Sequence, residues 1–271
     1  MDIGTAKPTA SELAQVRHHG IDLCSPEDFY SAGEYGQFAR DAIRSVFERK
    51  SIPVVVGGSG LYIQAIVEGI FSGEHRDEEI RDRLKKQAHD LGLEKLFQQL
   101  QEIDPEYAEK IHPNDAKRII RALEVYQITG IPFSQCHREK TEGADFQVQY
   151  WGLRWPREQL VDRIHRRVDQ MVEQGLVDEV RSLLEAGFSP ELNSLNSVGY
   201  QEIIAFLRNQ LSLAEAVELI KRNTRRFSKR QMTWFRRIPA IQWVECDGEM
   251  NWAPIARKIA DAYAFPFEMK R

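Results

Sequence analysis

The stretch "IPVVVGGSGLYIQAIVEG" at 52–69 constrains the fold of this chain more than any other. The apolar run Ile52 to Val56 predicts a short buried strand. Gly57, Gly58, Ser59 and Gly60 form a turn, and a helical pattern follows that Gly69 closes. Strand, glycine turn and helix in that order are the parts of an α/β unit with a parallel sheet. Directly upstream, "SAGEYGQFARDAIRSVFERK" predicts a helix capped by Ser31, with Phe38, Ala42, Val46 and Phe47 on one face. A parallel strand needs such a crossover helix before it.

Downstream of about residue 75 the pattern becomes helix after helix. "RDEEIRDRLKKQAHDLG" and "LEKLFQQLQEID" are amphipathic, and Asp104-Pro105 breaks the run. "HPNDAKRIIRALEVYQITG" predicts a helix with Asn114 as N-cap, Ile119, Ile120, Leu123 and Tyr126 toward a core, and Gly130 as its stop. "FQVQYWGLRW" at 146–155 predicts a strand returning to the sheet. Pro156 then suits the first turn of a long helix carrying Leu160, Ile164, Val168 and Met171. A second long helix spans 212–236, and "AIQWVE" is a final strand. The expected organisation is an α/β core from 1–73 and 139–271, interrupted by a helical insertion domain at 74–138.

Net charge is −4, from 37 basic and 41 acidic residues, which by itself argues against a nucleic-acid partner. Local charge argues for one. The segment "KRNTRRFSKRQMTWFRR" from Lys221 to Arg237 holds eight basic residues and no acid. Arg222, Arg225, Arg226 and Lys229 follow helical spacing, with Phe227, Trp234 and Phe235 interleaved. A merely solvated helix interleaves acids to relieve like-charge repulsion. Phosphates answer to local potential, and flat aromatic and guanidinium groups stack on unpaired bases. Phe227 and Trp234 also read as core residues.

Other segments leave their alternatives open. "HPND" with Lys117, Arg118 and Arg121 reads either as an anion-binding face or as a solvated one on which Arg121 pairs with Glu124. In "RIHRRVDQM", Arg163 and Arg167 either snorkel at the core edge or converge on an anion. Glycines after a strand allow close approach to a phosphate, yet no GxxxxGK[ST] loop occurs in the chain. Cys24, Cys136 and Cys246 form no CxxC pair, and a reducing cytoplasm suits them. No apolar run is long enough to span a membrane, and neither a metal-ligand cluster nor a Ser-His-Asp pattern stands out.

Taken in order, "MDIGTAKPT", "YSAGEYGQFARDAI", "IPVVVGGSGLYIQAIVEG", "IHPNDAKRIIRALEVYQITG", "RIHRRVDQMVEQGLVDEV", "SVGYQEI" and "TRRFSKRQMTWFR" resemble the bacterial tRNA dimethylallyltransferases, the tRNA isopentenyltransferase family. The resemblance implies a P-loop-NTPase-like, nucleotide-binding type of parallel sheet with a helical insertion. It also implies that "MDIGTAKP" follows a first strand, a phosphate loop and an aspartate base, about 45 residues or one βαβ unit, making this chain N-terminally truncated. The implied reaction moves a dimethylallyl group from dimethylallyl diphosphate to N6 of an adenosine beside the anticodon, with Mg²⁺. The implied partners are that diphosphate and the tRNA anticodon stem-loop, and the implied full-length form is a cytoplasmic monomer.

Carried over residue by residue, the resemblance makes Arg167 and Arg225 contacts of the diphosphate and Thr5 an active-site contact. Ser59, Arg81, Lys117, Arg118, Ile119, Ile120 and Arg121 become tRNA contacts. So do Ser197, Val198, Gly199, Tyr200 and Gln201, and Lys229, Arg230, Gln231, Trp234 and Arg236. Without a base the rate is expected to fall by about 10²–10⁴, so a chain lacking that segment is expected to be unstable and impaired. The alternatives are a catalytically inactive tRNA-binding fragment and an adenylate isopentenyltransferase acting on free nucleotides. The latter has no need of the basic helix.

Overall fold

The computed structural model describes residues 1–70, 77–139 and 143–263. In chain order the elements are α1 (Ala10–Gln15), α2 (Ala32–Glu48), α3 (Gly60–Val67), α4 (Glu78–Leu91), α5 (Leu93–Ile103), α6 (Pro105–Ala108), α7 (Ala116–Thr129) and α8 (Phe133–Glu139). There follow β1 (Tyr150–Arg154), α9 (Arg157–Glu173), α10 (Leu176–Glu185), α11 (Tyr200–Leu207), α12 (Leu213–Phe235), β2 (Ile241–Glu245) and α13 (Trp252–Asp261). They form two compact units, one from 1–29, 55–60 and 145–271, the other from 30–54 and 61–144. The expected boundary at 73/74 lies outside the described residues.

In the first unit β1 and β2 pair in parallel, Tyr150 opposite Ile241 through Arg154 opposite Glu245. The intervening helices supply the crossover that parallel pairing demands. α9, α10, α11 and α12 enclose a core of Val168, Leu176, Val180, Leu195, Tyr200, Ile203, Ile204 and Ile220, against which Met1 and Ile3 also pack. α12 starts at a capping box: Ser212 accepts from the Glu215 amide, and Glu215 accepts from that of Ser212. This satisfies two of the donors a helix start leaves orphaned.

The second unit is helical. Leu84 of α4, Leu96 and Leu100 of α5, and Ile119, Ala122 and Leu123 of α7 form its core. Asp104 turns the chain between α5 and α6 by accepting from the Tyr107 amide at 3.0 Å and the Ser134 amide at 2.7 Å. Ser31 caps α2 in a capping box with Glu34, as its sequence predicts. Gly36 of α2 sits where a Cβ would lie 2.5 Å from the Ala65 carbonyl of α3, and Tyr35 stacks on Tyr62.

Three sequence expectations change. The run 52–56 is not a buried strand: among the described residues the sheet is β1-β2 alone. Val54 is 75% and Val56 88% exposed. An apolar run becomes a strand only where a neighbour completes its ladder, and no described residue does so here. The N-cap of α7 is Asp115, which accepts from the Arg118 amide at 3.2 Å, rather than Asn114. The Asn114 amide instead donates to His112 Nδ1 at 3.1 Å. Pro156 stands at the N-cap of α9, one residue before its first turn.

Candidate nucleic-acid interface

α12 buries Ala216 and Ile220 and then carries its basic run into solvent. Lys221 pairs with Asp169 of α9 at 2.8 Å and Glu218 at 3.3 Å. The other seven cations of the run, Arg222, Arg225, Arg226, Lys229, Arg230, Arg236 and Arg237, are exposed and have no ion pair among the described residues. That density of uncompensated charge is costly to a helix and useful toward a polyanion. Phe227 is 45% exposed with the Arg230 guanidinium 5.6 Å from its ring centroid. Its ring is therefore partly at the surface rather than enclosed in the core.

The glycine turn packs on the same helix. The Gln231 side-chain amide donates to the Gly58 carbonyl at 2.9 Å. A Cβ at Gly58 would lie 2.2 Å from Gln231 Nε2, and one at Gly60 2.1 Å from the Trp234 ring. The glycines thus let the backbone close on Gln231 and Trp234, and Ser59 between them stays exposed. Ser59, Lys229, Arg230, Gln231 and Trp234 are brought to one surface.

The "DIGT" loop is tied down from α10 and α11. The amides of Asp2, Ile3 and Gly4 donate to the Glu179 carboxylate at 2.6, 2.9 and 3.2 Å. The Tyr200 hydroxyl donates to it at 2.6 Å. Burial raises the Glu179 carboxyl, but these hydrogen bonds outweigh it and hold the group below the usual glutamate range. Burial and the adjoining carboxylate push the Tyr200 phenol far up. The Thr5 hydroxyl donates to the Met1 and Asp2 carbonyls at 2.9 and 3.2 Å, and so is engaged within the turn. Lys7 pairs with Asp2 and Asp22. Arg167 and Arg225 are both exposed, on α9 and α12, the two helices that the Lys221–Asp169 pair links.

The remaining expected contacts divide by burial. Glu202, buried, accepts from the Gly199 amide at 2.8 Å, Gln201 Nε2 at 3.1 Å and Asn223 Nδ2 at 2.7 Å. Ser197 and Gln201 are exposed and Val198 is half-buried. Gly199 and Tyr200 are buried, so the Tyr200 side chain is a core element bonded to Glu179, inaccessible to a macromolecule. In the second unit, Arg81 and Arg121 converge on the fully buried Glu124 at 2.8 and 2.9 Å. Lys117 and Arg118 are exposed, Arg118 pairing with Asp115 at 3.3 Å. Ile119 is 0% exposed, which removes its side chain from any interface, and Ile120 is half-buried. Sequence reasoning singled out neither Glu179 nor Glu202. Their trace is an acid at an otherwise apolar helix position, which is visible only once the facing residues are known.

Residues 1–238 match the sequence profile of the family described as IPP transferase. The chain belongs to that family. It is 46% identical over 261 residues to the tRNA dimethylallyltransferase of Pelotomaculum thermopropionicum, spanning 96% of this chain and 83% of that one. With the tRNA dimethylallyltransferase of Desulforamulus reducens it shares 40% identity over 98% of this chain and 95% of the other. Among solved structures it resembles the tRNA isopentenylpyrophosphate transferase of Bacillus halodurans, with TM-score 0.66, 38% identity and coverage of 96% and 83%. It also resembles a eukaryotic dimethylallyltransferase acting on tRNA, with TM-score 0.77, 26% identity and coverage of 96% and 67%. The parallel sheet and helical architecture of this IPP transferase family member agree with those relatives.

Among the described residues no three His, Cys, Asp or Glu side chains group to hold a metal ion. No helix among them is long and apolar enough to cross a membrane.

Proposed function

We propose that this chain transfers the dimethylallyl group of dimethylallyl diphosphate to N6 of an adenosine beside the anticodon of tRNA. In the reaction N6 attacks the allylic C1, the C1–O bond breaks, pyrophosphate leaves with the electron pair, and N6 loses a proton to a base. The observation that carries the reading is the exposed run through the second half of α12 and the two residues after it, whose seven cations from Arg222 to Arg237 lack ion pairs among the described residues.

On this reading Arg225 and Arg167 receive the charge that develops on the pyrophosphate, as preorganised cations near a leaving group do. Thr5 contacts the active site from its turn. Ser59, Gln231 and Trp234 meet the anticodon loop beside the extruded adenosine, and Lys229, Arg230 and Arg236 neutralise its phosphates. Ser197 and Gln201 extend that surface. In the 74–138 insertion domain Lys117 and Arg118 are the exposed contacts, while Arg81 and Arg121 act from their bond to Glu124. Mg²⁺ is expected on the diphosphate oxygens rather than in a protein cage. The same reading puts the chain with tRNA in the cytoplasm, the full-length form being a monomer.

The test is transfer of labelled dimethylallyl from its diphosphate to an anticodon stem-loop with adjacent adenosines, run beside free AMP. Label on the stem-loop alone is expected. Label on AMP would select an adenylate isopentenyltransferase, and binding of the stem-loop without transfer would select an inactive tRNA-binding protein.

A further inference from the structure

We infer that Glu179 and Tyr200 are positioning residues for this transfer, fixing the Asp2–Lys7 loop that carries Thr5. The inference rests on the reading above and adds to it two side chains that touch no substrate.

Three successive amides, those of Asp2, Ile3 and Gly4, point at one carboxylate at 2.6, 2.9 and 3.2 Å. Such a run of amides is an anion-binding concavity, here filled by a side chain of the same protein. It sets the backbone residue by residue. An apolar contact alone would bury the loop without fixing its register. The Tyr200 hydroxyl binds the same carboxylate at 2.6 Å, while its ring lies 2.4 Å from where a Cβ of Gly4 would be. Glycine is therefore required at 4 for the loop to reach the carboxylate at all.

The loop itself is wound tightly. Ala6 adopts φ 53°, a left-handed conformation that alanine holds only where its surroundings over-determine it. The Ala6 amide donates to the Ile3 carbonyl at 2.9 Å, that of Lys7 to the Asp2 carbonyl at 2.9 Å, and Lys7 bridges Asp2 and Asp22. Packing against the core would not require a half-buried carboxylate, whose desolvation has to be offset by good hydrogen bonds. The arrangement makes sense as a device that holds Thr5 and its neighbours in one place.

Glu179→Gln keeps the shape but loses the charge and one acceptor, and Tyr200→Phe keeps the ring in the core. Amide exchange at Ile3 and Gly4 is read together with kcat and KM for the stem-loop in the intact chain. Both variants are expected to exchange faster at those amides. They are expected to lose about ten- to a hundredfold in kcat, as small misplacements near reacting atoms do. KM for the stem-loop should stay within about twofold, because the surface that binds it is intact. The double variant should lose little more than the worse single one, since the two groups act as a unit. Unchanged exchange, unchanged kcat, or a loss confined to KM would each overturn the inference. A wild-type chain that transfers nothing would overturn the transferase reading, and the kinetic role with it. Faster exchange in the variants would then still separate a loop-fixing contact from an idle one.

Discussion

Gly60 and Trp234 approach so closely that a Cβ on the glycine would lie 2.1 Å from the indole ring. A bulky ring cannot give way as a flexible chain end can. Gly60→Ala should therefore destabilise the chain by about 1–3 kcal/mol through overpacking. Helix propensity acts the other way, since Ala is favoured over Gly by about 1 kcal/mol within a helix. Gly58→Ala meets only the end of Gln231, which can swing aside, and should cost less. Urea denaturation of both variants decides this. A stabilised Gly60→Ala would mean that the ring contact is absent.

The exposed cations of α12 carry no ion pair among the described residues, so neutralising one should leave the fold alone. For Lys229→Gln and Arg230→Gln, stability is expected to change by no more than about 0.5 kcal/mol. Stem-loop affinity should fall for every loop sequence. The slope of log affinity against log salt should shrink by about 0.7 for each single-strand phosphate the variant no longer neutralises. Titrations at several salt concentrations measure it. An unchanged slope would remove these residues from the interface.

Ile119 shows what sequence position alone conveys. It lies between the exposed Arg118 and the half-buried Ile120, inside a segment whose neighbours are interface candidates. Its side chain is nonetheless in the core with Leu84, Leu96 and Leu123. Ile119→Ala is expected to cost about 2–5 kcal/mol of stability and to weaken stem-loop binding only as far as the fold is lost. Calorimetry beside binding below the melting temperature separates the two effects.

Much of the architecture was legible because its determinants are local. Ser31 and Ser212 cap their helices through residues three positions on, Gly130 stops α7 in the left-handed conformation, and the basic run declares itself by charge alone. What failed depended on a partner. Whether Ile52–Val56 becomes a strand is decided by what lies beside it, and apolar content cannot report that. Asp115 rather than Asn114 caps α7 because its carboxylate is the one that reaches the Arg118 amide. Glu179 was invisible because its significance is a meeting with Asp2, Ile3, Gly4 and Tyr200, residues far from it in sequence.

Glu124 gives a pH signature. It is fully buried and accepts from Arg81, Arg121 and the Asp77 amide. Burial raises its carboxyl, and the bonds from Arg121, Arg81 and Asp77 outweigh that and hold it below the usual glutamate range. A carboxyl depressed in the folded state stabilises above its unfolded pKa, and that stability is lost as pH falls through the folded value. Glu124→Gln should cost about 1.5–3 kcal/mol at neutral pH, the scale for hydrogen bonds to charged groups. The lower end is expected because Arg81 and Arg121 are 20% and 25% exposed and keep some water. The gap to wild type should stay flat down to about pH 5 and shrink below about 4.3, where the unfolded carboxyl takes its proton. Glu179 titrates in the same region but is present in both proteins, so it cancels in the difference. Denaturation at a series of pH values reads the gap directly, and one that persisted undiminished at about pH 3, well below the unfolded value, would show that Glu124 stabilises by shape rather than by charge.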